Sequence, residues 1–341
     1  MLEVDSAAFR DIAYLHRVLM LFSVVIPTYN RVHLLARTLD SVSRQRFTDF
    51  EVIVVDDGSN DGTQEYLRSL GDRIRMLQQA NGGPGAARNA GIRAASGKYV
   101  ALLDSDDLWF PWTLNIFARA VAEFRDPSIV GGQLTEFVDE DELRSIREAP
   151  YRAAWFKDFI ASSHYPYYVG SGTCALRREA LKDACFPEDR LNAEDHDLIL
   201  QLGVMPGFVR ILSPVTLAWR RHSSSETGQL ASTASGALRL VARERSGIYP
   251  GGAARSRERH RILARHIRPT AVACLRHRDV NRAWRLYRAA FAWHLELGSW
   301  KYIVVFPILW LVARMQRAIA GASGGAYPAP VDQRAPPPRV R

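Results

Sequence analysis

The sequence predicts an α/β fold, a mainly parallel central sheet flanked by helices, followed by a C-terminal helical appendage. Three observations predict it. Short β-branched runs alternate with helical patterns over residues 22–126, the ends of those runs carry polar and acidic residues, and beyond Glu226 the chain turns helical, Arg-rich and aromatic. Alternation of this kind is the signature of βαβ units. Residues 22–26, 52–55, 74–77 and 99–103 read as buried strands, with helices expected at about 33–45, 61–70, 84–95 and 111–125. Ligands bind beyond the carboxyl ends of the strands in such sheets, so Thr28-Tyr29-Asn30, Asp56-Asp57 and Asp104 stand where a site belongs.

From 128 to 225 the pattern is mixed. Residues 129–138 read as one long strand or two, 139–150 as a charged loop, 169–176 as a strand, 194–202 as a helix, and 208–219 as a strand pair interrupted by Pro214. The domain boundaries that follow are an N-terminal extension at 1–20, a catalytic domain at 21–226 (a donor half at 21–127 and an acceptor half at 128–226), a basic helical region at 227–320, and a Pro-rich disordered tail at 321–341. The first residues include Glu3, Asp5 and Asp11 without a continuous apolar run, so no secretory signal is expected.

The 341 residues suffice for a full core, and 47% hydrophobic against 24% charged residues excludes wholesale disorder. The net charge of +9 is unevenly placed: residues 237–341 carry +15 and residues 1–236 carry −6. A basic tail attracts nucleic acid or an anionic membrane. Three cysteines far apart, Cys174, Cys185 and Cys274, form neither a disulfide framework nor a zinc pattern, which points to a reducing compartment.

Six segments carry candidate chemistry. SVVIPTYNR (23–31) breaks from a strand into a polar turn at Pro27, Thr28, Tyr29 and Asn30, whose backbone can meet a nucleoside. EVIVVDDGSNDGT (51–63) sets Asp56 and Asp57 at a strand end, with Asn60-Asp61 as a helix N-cap. Asp57 is the better ligand candidate, able to accept a uracil imide N–H or a ribose hydroxyl. NGGPGAARNAGI (81–92) is a glycine-rich turn entering a helix. It lacks the last glycine of a dinucleotide fingerprint, which disfavours a dehydrogenase. Gly83 lets backbone approach a ligand, and Arg88 reaches either phosphate or the nearby acids.

YVALLDSDDLWFP (99–111) crowds Asp104, Asp106 and Asp107 around Ser105 at the end of an apolar strand. Such carboxylates repel without a counter-ion, and their hard oxygens suit Mn²⁺ or Mg²⁺ bridging to diphosphate. Helix capping is the alternative for Asp106 or Asp107. AEDHDLILQLG (193–203) starts a helix with Glu194-Asp195, where the helix dipole favours acids and where Asp195 can act as a general base on an acceptor hydroxyl. In WRRHSSSET (219–227), His222 can complete a metal site, with Arg220 and Arg221 neutralising diphosphate.

Taken in order, these segments resemble the family 2 glycosyltransferases, whose GT-A fold is Rossmann-like, over about residues 20–225. The resemblance implies an inverting, metal-dependent transfer from a nucleotide-sugar, with UDP as the expected carrier, to a glycan or lipid-linked acceptor in cell-surface polysaccharide or glycolipid synthesis. It implies donor binding by the first strand end and Asp57, Asp104 near the ribose, Asp106 on the metal, Asp195 as base, and His222 on metal or diphosphate. Glu194 and Arg221 are secondary candidates, and Asp107 is left to cap the next helix. Cys185-Phe186-Pro187 departs from the family's Gly-Gly-Phe turn. The alternatives are a nucleotide-sugar-binding scaffold without turnover and a metal-dependent nucleotidyltransferase.

Residues 281–318 mix Arg with aromatics, and 302–313 is an apolar run too short to span a bilayer. With Trp300, Tyr302 and Trp310 near Lys301, Arg314 and Arg317, it reads as an interfacial helix on an anionic membrane rather than a nucleic-acid contact. That places the protein in the cytoplasm, peripheral at the inner face of the cytoplasmic membrane. A helix packed on the catalytic domain, or on a second copy in a homodimer, is the alternative.

Overall fold

The structure, a computed structural model, describes residues 20–166, 169–222 and 229–322, with side chains described as far as Arg317. The expectations for most of 1–20 and 321–341, and for the serines after His222, lie outside the described residues.

Strands β1 (Phe22–Thr28), β2 (Phe50–Asp56), β3 (Arg75–Gln78) and β4 (Tyr99–Leu102) alternate with helices α1 (Val32–Ser43), α2 (Thr63–Ser69) and α3 (Pro84–Ala94). After β4 come β5 (Leu108–Trp109), α4 (Thr113–Glu123), β6 (Ile129–Gly131), β7 (Leu134–Phe137), β8 (Arg152–Phe156), β9 (Cys174–Arg177), α5 (Glu194–Gln201), β10 (Phe208–Ser213) and β11 (Leu217–Arg220). The main sheet has eight strands in the order β3-β2-β1-β4-β9-β6-β10-β8, and a second sheet has the order β5-β11-β7. The β3-β2-β1-β4 portion is parallel, as expected, and β9 and β8 run antiparallel to their neighbours.

The chain leaves β1 toward β2 on one side and returns to place β4 on the other. The loops after β1 and β4 therefore diverge and open a crevice at the carboxyl ends, the topological switch point where such sheets bind ligands. Alternation along β1 supplies both cores. Val24 and Ile26 face Leu35, Leu39 and Phe117, whereas Val25 faces Ala87, Leu198 and the C-terminal helices.

Those helices are α6 (Leu230–Arg245), α7 (Ser256–Arg276), α8 (Val280–Ala289), α9 (Phe291–Glu296) and α10 (Trp300–Ala322). Leu240, Leu263, Ile267 and Leu286 join the same core as Val25 and Leu200, so α6 to α8 are a continuation of the domain's packing. The segment expected as one interfacial stretch divides into three helices, with Gly298 in the left-handed region (φ 67°) at the last break. Tyr302 and Trp310, expected to anchor in a bilayer, turn inward instead. Trp310 stacks on Trp284 at 4.4 Å, and Tyr302 lies 5.6 Å from Tyr287. The opposite face of α10 exposes Trp300, Val304, Ile308, Leu311 and Met315. No helix among the described residues is long and apolar enough to cross a membrane.

The structure decides some local expectations left open and corrects others. The stretch 129–138 is two strands in different sheets, parted at Gly132, where a Cβ would meet Thr216 Oγ1 at 2.1 Å. Strand β9 begins only at Cys174, because Ser171 to Thr173 turn through Gly172 (φ 81°). The charged loop after β7 forms a 3-10 turn, Glu140–Ser145, capped by Asp139. The N-cap of α2 is Gly62, although Asp61 Oδ1 still accepts from Thr63 N–H at 3.1 Å. All three cysteines are free.

Candidate active site

The crevice is a cleft of about 900 Å³, within the range of small-molecule sites. Its lining draws on the loops after β1, β2 and β4, the start of α3, strands β7 and β11, the start of α5 and the start of α6.

The loop after β1 is knitted to the loop after β2. Asp57 N–H donates to Thr28 O at 2.9 Å, Asn30 N–H to Ser59 Oγ at 2.9 Å, and Asn60 N–H to Asn30 Oδ1 at 2.8 Å. Pro27, Thr28 and Tyr29 line the cleft, and Tyr29 is half exposed over it. Asn30, expected to bind donor, is instead engaged by Asn60 and is not part of the lining. Asp57 is buried. Its Oδ1 accepts from Gln79 Nε2 and Gly82 N–H, and its Oδ2 from Gly83 N–H, each at 2.8 Å. This carboxylate thus shapes the glycine-rich loop, where Gly83 adopts φ 90°.

Arg88, 5% exposed, forks between NH1 to Glu194 Oε1 and NH2 to Asp104 Oδ1, both at 2.8 Å. Of the two partners foreseen for it, phosphate or nearby acids, the structure gives it the acids. Burial opposes its charge, but Asp104, Asp195 and Glu194 together hold its pKa well above the usual value. Burial also raises the Glu194 pKa despite Arg88, with Asp195 adding to the effect. Asp195 Oδ1 accepts from Ser171 Oγ at 3.0 Å.

Asp106 Oδ2 meets Arg31 NH1 at 2.6 Å and His222 Nε2 at 3.0 Å. Ser105 is buried beside it. Asp107, expected to cap α4, does not: the N-cap of that helix is Trp112, and Asp107 Oδ1 accepts Arg220 N–H at 2.9 Å. Burial first, then Asp106 and Asp104, push the Asp107 pKa well above the carboxylate range. Arg220, expected at diphosphate, is spent on Asp106 O and Glu140 at 2.9 and 2.8 Å. Arg221 pairs with Glu136 at 3.0 Å on an exposed edge.

No group of three or more His, Cys, Asp or Glu that could hold a metal exists among the described residues. The touching pair of Asp106 and His222 nevertheless suits a divalent cation that takes its other ligands from diphosphate and water, the usual habit of Mg²⁺. The sequence reading missed Arg31, Ser171 and the start of α6. Arg31 lay within the first motif, but its role needs β1 and β4 side by side. Ser171 and α6 carried no local signal.

The family described as Glycosyl transferase family 2 matches residues 23–185, which include Asp57, Arg88 and Asp106 and stop short of Asp195 and His222. A Rickettsia bellii protein named as an uncharacterized glycosyltransferase is 33% identical over 202 residues, 57% of this chain and 28% of that protein. The poly(ribitol-phosphate) beta-N-acetylglucosaminyltransferase TarS of Staphylococcus aureus is 29% identical over 208 residues, 57% of this chain and 34% of TarS. The chain thus spans about a third or less of the length of these two curated relatives. The crystal structure of S. aureus TarS 1-349 in complex with UDP-GlcNAc superposes with a TM-score of 0.60 at 21% identity, covering 80% of this chain and 82% of that one, a likeness of fold. The sheet order, the crevice and the motifs within residues 23–185 agree with the match of that segment, just under half of the chain, to glycosyl transferase family 2.

Proposed function

We propose that the protein is an inverting glycosyltransferase that moves a sugar from a nucleoside diphosphate, UDP by preference, to a hydroxyl of a glycan or lipid-linked acceptor in cell-surface polysaccharide or glycolipid synthesis. The observation that carries this reading is the meeting of the Asp57-braced loop, the Asp104 to Asp106 turn and the Glu194-Asp195 helix start around one cleft. The S. aureus fragment of like fold was crystallised with UDP-GlcNAc, which supports the donor class.

In this reading Pro27 to Tyr29, Asp57 and Gly83 frame the nucleoside, and Asp104 meets the ribose. Asp106 and His222 would hold Mn²⁺ or Mg²⁺, which when bound offsets the charge gathering on the leaving diphosphate. Asp195 takes the proton from the acceptor hydroxyl. The acceptor's hydroxyl oxygen attacks the anomeric carbon opposite the leaving group, and the bond to the diphosphate oxygen breaks with inversion. Ser171 orients that carboxylate through its hydrogen bond. The reading is tested by a manganese-supplemented screen of UDP-, GDP- and dTDP-sugars for donor hydrolysis and transfer. Full activity in Asp106→Ala would sink the metal assignment, and unchanged transfer by Asp195→Asn would remove the base.

The same reading places the protein at the inner face of the cytoplasmic membrane, with the exposed face of α10 as the contact. Val304, Ile308 and Met315 are 60%, 58% and 55% exposed, and Lys301, Arg314 and Arg317 are exposed on the same helix. Each basic residue near an anionic surface contributes about 1 kcal/mol. Flotation of the full chain with vesicles of phosphatidylglycerol and phosphatidylcholine, lost in Val304→Glu/Ile308→Glu, supports this contact. A homodimer that neither floats nor survives the same substitutions assigns the face to a second copy.

A further inference from the structure

The nine residues 189–197 carry Glu194 and Asp195, yet their backbone is not one the local sequence favours. Arg190 and Ala193 both adopt left-handed φ, 57° and 69°, which a residue with a Cβ rarely does. Such a conformation persists only where its surroundings over-determine it. From the sheet side, Arg88 binds Glu194 and Ser171 binds Asp195.

The other side is held by the C-terminal helices, contact after contact. Arg239 of α6 binds Asp189 with NH1, and its NH2 donates to Asn192 O at 3.1 Å. Ser232 Oγ accepts Asn192 N–H and donates to Asn192 Oδ1, both at 3.1 Å, while Asn192 Nδ2 donates to Thr233 Oγ1 at 2.9 Å. Gly236 lets the helix backbone press on this loop, since a Cβ there would lie 1.8 Å from Asn192 O. Beyond Asp195, the His196 ring packs against that of His266 of α7, with centroids 4.3 Å apart and the planes tilted by 40°. Asp197, wholly buried, pairs with Arg243 at 2.8 Å and accepts from Tyr249 OH.

We infer that α6 and α7 are part of the active site, and that Arg239, Gly236, Ser232 and Tyr249 are positioning residues that set where the Asp195 carboxylate stands. The inference rests on Asp195 being the base. It explains why the region read as an appendage contributes the start of α6 to the cleft. The geometry is specific: the contacts fall on residues 189, 192, 196 and 197, bracketing Asp195 on both sides.

The test pairs amide hydrogen exchange with kinetics on the full chain, for Gly236→Ala, Arg239→Met, Arg239→Lys and Tyr249→Phe. Gly236→Ala and Arg239→Met are expected to speed exchange across 189–197 by about tenfold or more. They should lower kcat by a similar factor, with donor KM and the affinity for UDP itself unchanged. Arg239→Lys, which keeps a cation for Asp189, recovers part of both losses. If Gly236→Ala fails to fold, the Arg239 pair carries the test. Parent-like exchange across 189–197 in Arg239→Met and Tyr249→Phe overturns the inference, as does faster exchange with kcat intact. Exchange needs no substrate, so a parent chain without transferase activity sinks the catalytic reading separately from the helical clamp.

Discussion

Replacing Arg88 by Met tests the electrostatic centre of the cleft. The guanidinium is 5% exposed and makes charge-assisted bonds at 2.8 Å to both Asp104 and Glu194, with the Phe186 ring 5.2 Å from its Cζ. Methionine keeps much of the stem's volume and removes the charge. Stripping one partner from a buried ion pair costs about 3–5 kcal/mol, because the remaining charges stay desolvated. The Asp104 side chain is 30% exposed and can recover some hydration, whereas Glu194 at 15% cannot recover as much. The lower end, about 3 kcal/mol, is therefore expected, a large part of a stability of about 5–15 kcal/mol. With a urea m-value of about 3 kcal/mol/M, the midpoint falls by about 1 M. Urea denaturation followed by tryptophan fluorescence measures this, and donor hydrolysis at a temperature where the variant is folded measures the second consequence. Turnover should fall, since Glu194 and Asp195 lose their shared counter-charge. Arg88→Lys should sit between, because one ammonium cannot fork to two carboxylates. A loss under about 1 kcal/mol in Arg88→Met, with turnover intact, refutes the reasoning.

Three further outcomes follow from single contacts. Gly91→Ala in α3 gains about 1 kcal/mol of helix propensity but drives a methyl to 2.3 Å from Val25 Cγ1, an overpacking cost of about 1–3 kcal/mol. A net loss in thermal melting is expected, and a more stable variant contradicts the packing. His294 is fully buried and burial lowers its pKa to about 4, so its neutral form contributes stability that is complete above pH 6.5 and lost as pH falls toward 4. At 1.36 kcal/mol per unit this is about 3 kcal/mol. His294→Phe should therefore lose less stability than the parent between those pH values in denaturant titrations, and an equal loss disproves a neutral buried imidazole. Arg31 sits on Asp106 Oδ2 at 2.6 Å, where it competes with a cation. Arg31→Met should tighten Mn²⁺ binding in the donor-free protein about fivefold by calorimetry, equivalent to about 1 kcal/mol of ion pairing, and unchanged affinity removes the competition.

The parallel half of the fold was legible because its elements are locally encoded. Apolar β-branched runs from Phe22, Val52 and Tyr99 require burial on both faces, and Gly83 and Pro84 mark a turn entering a helix. Strand β8 and the two-residue β5 carry no such signal, since partly exposed or very short strands are defined by their partners. The clustering of Asp104 to Asp107 was likewise visible, but its division of labour was not. Asp107 turns to the backbone of Arg220, 113 residues away, because β11 runs beside β5.

Composition and local pattern by themselves determined the α/β class, the placement of acids at the ends of β2 and β4, and the basic helical C-terminus. Those properties follow from burial periodicity and from charge counted along the chain. Which acid meets which cation, and whether α6 to α10 stand apart or join the core, only tertiary structure decided. Arg88 reaches Glu194 across 106 residues and Asn192 meets α6 through Gly236, contacts set by how helices pack on a sheet rather than by neighbours in sequence. The first part of the basic helical region accordingly lends the start of α6 and His266 of α7 to the cleft wall. The outer face of α10 keeps the apolar surface and adjoining positive charge that its sequence announced.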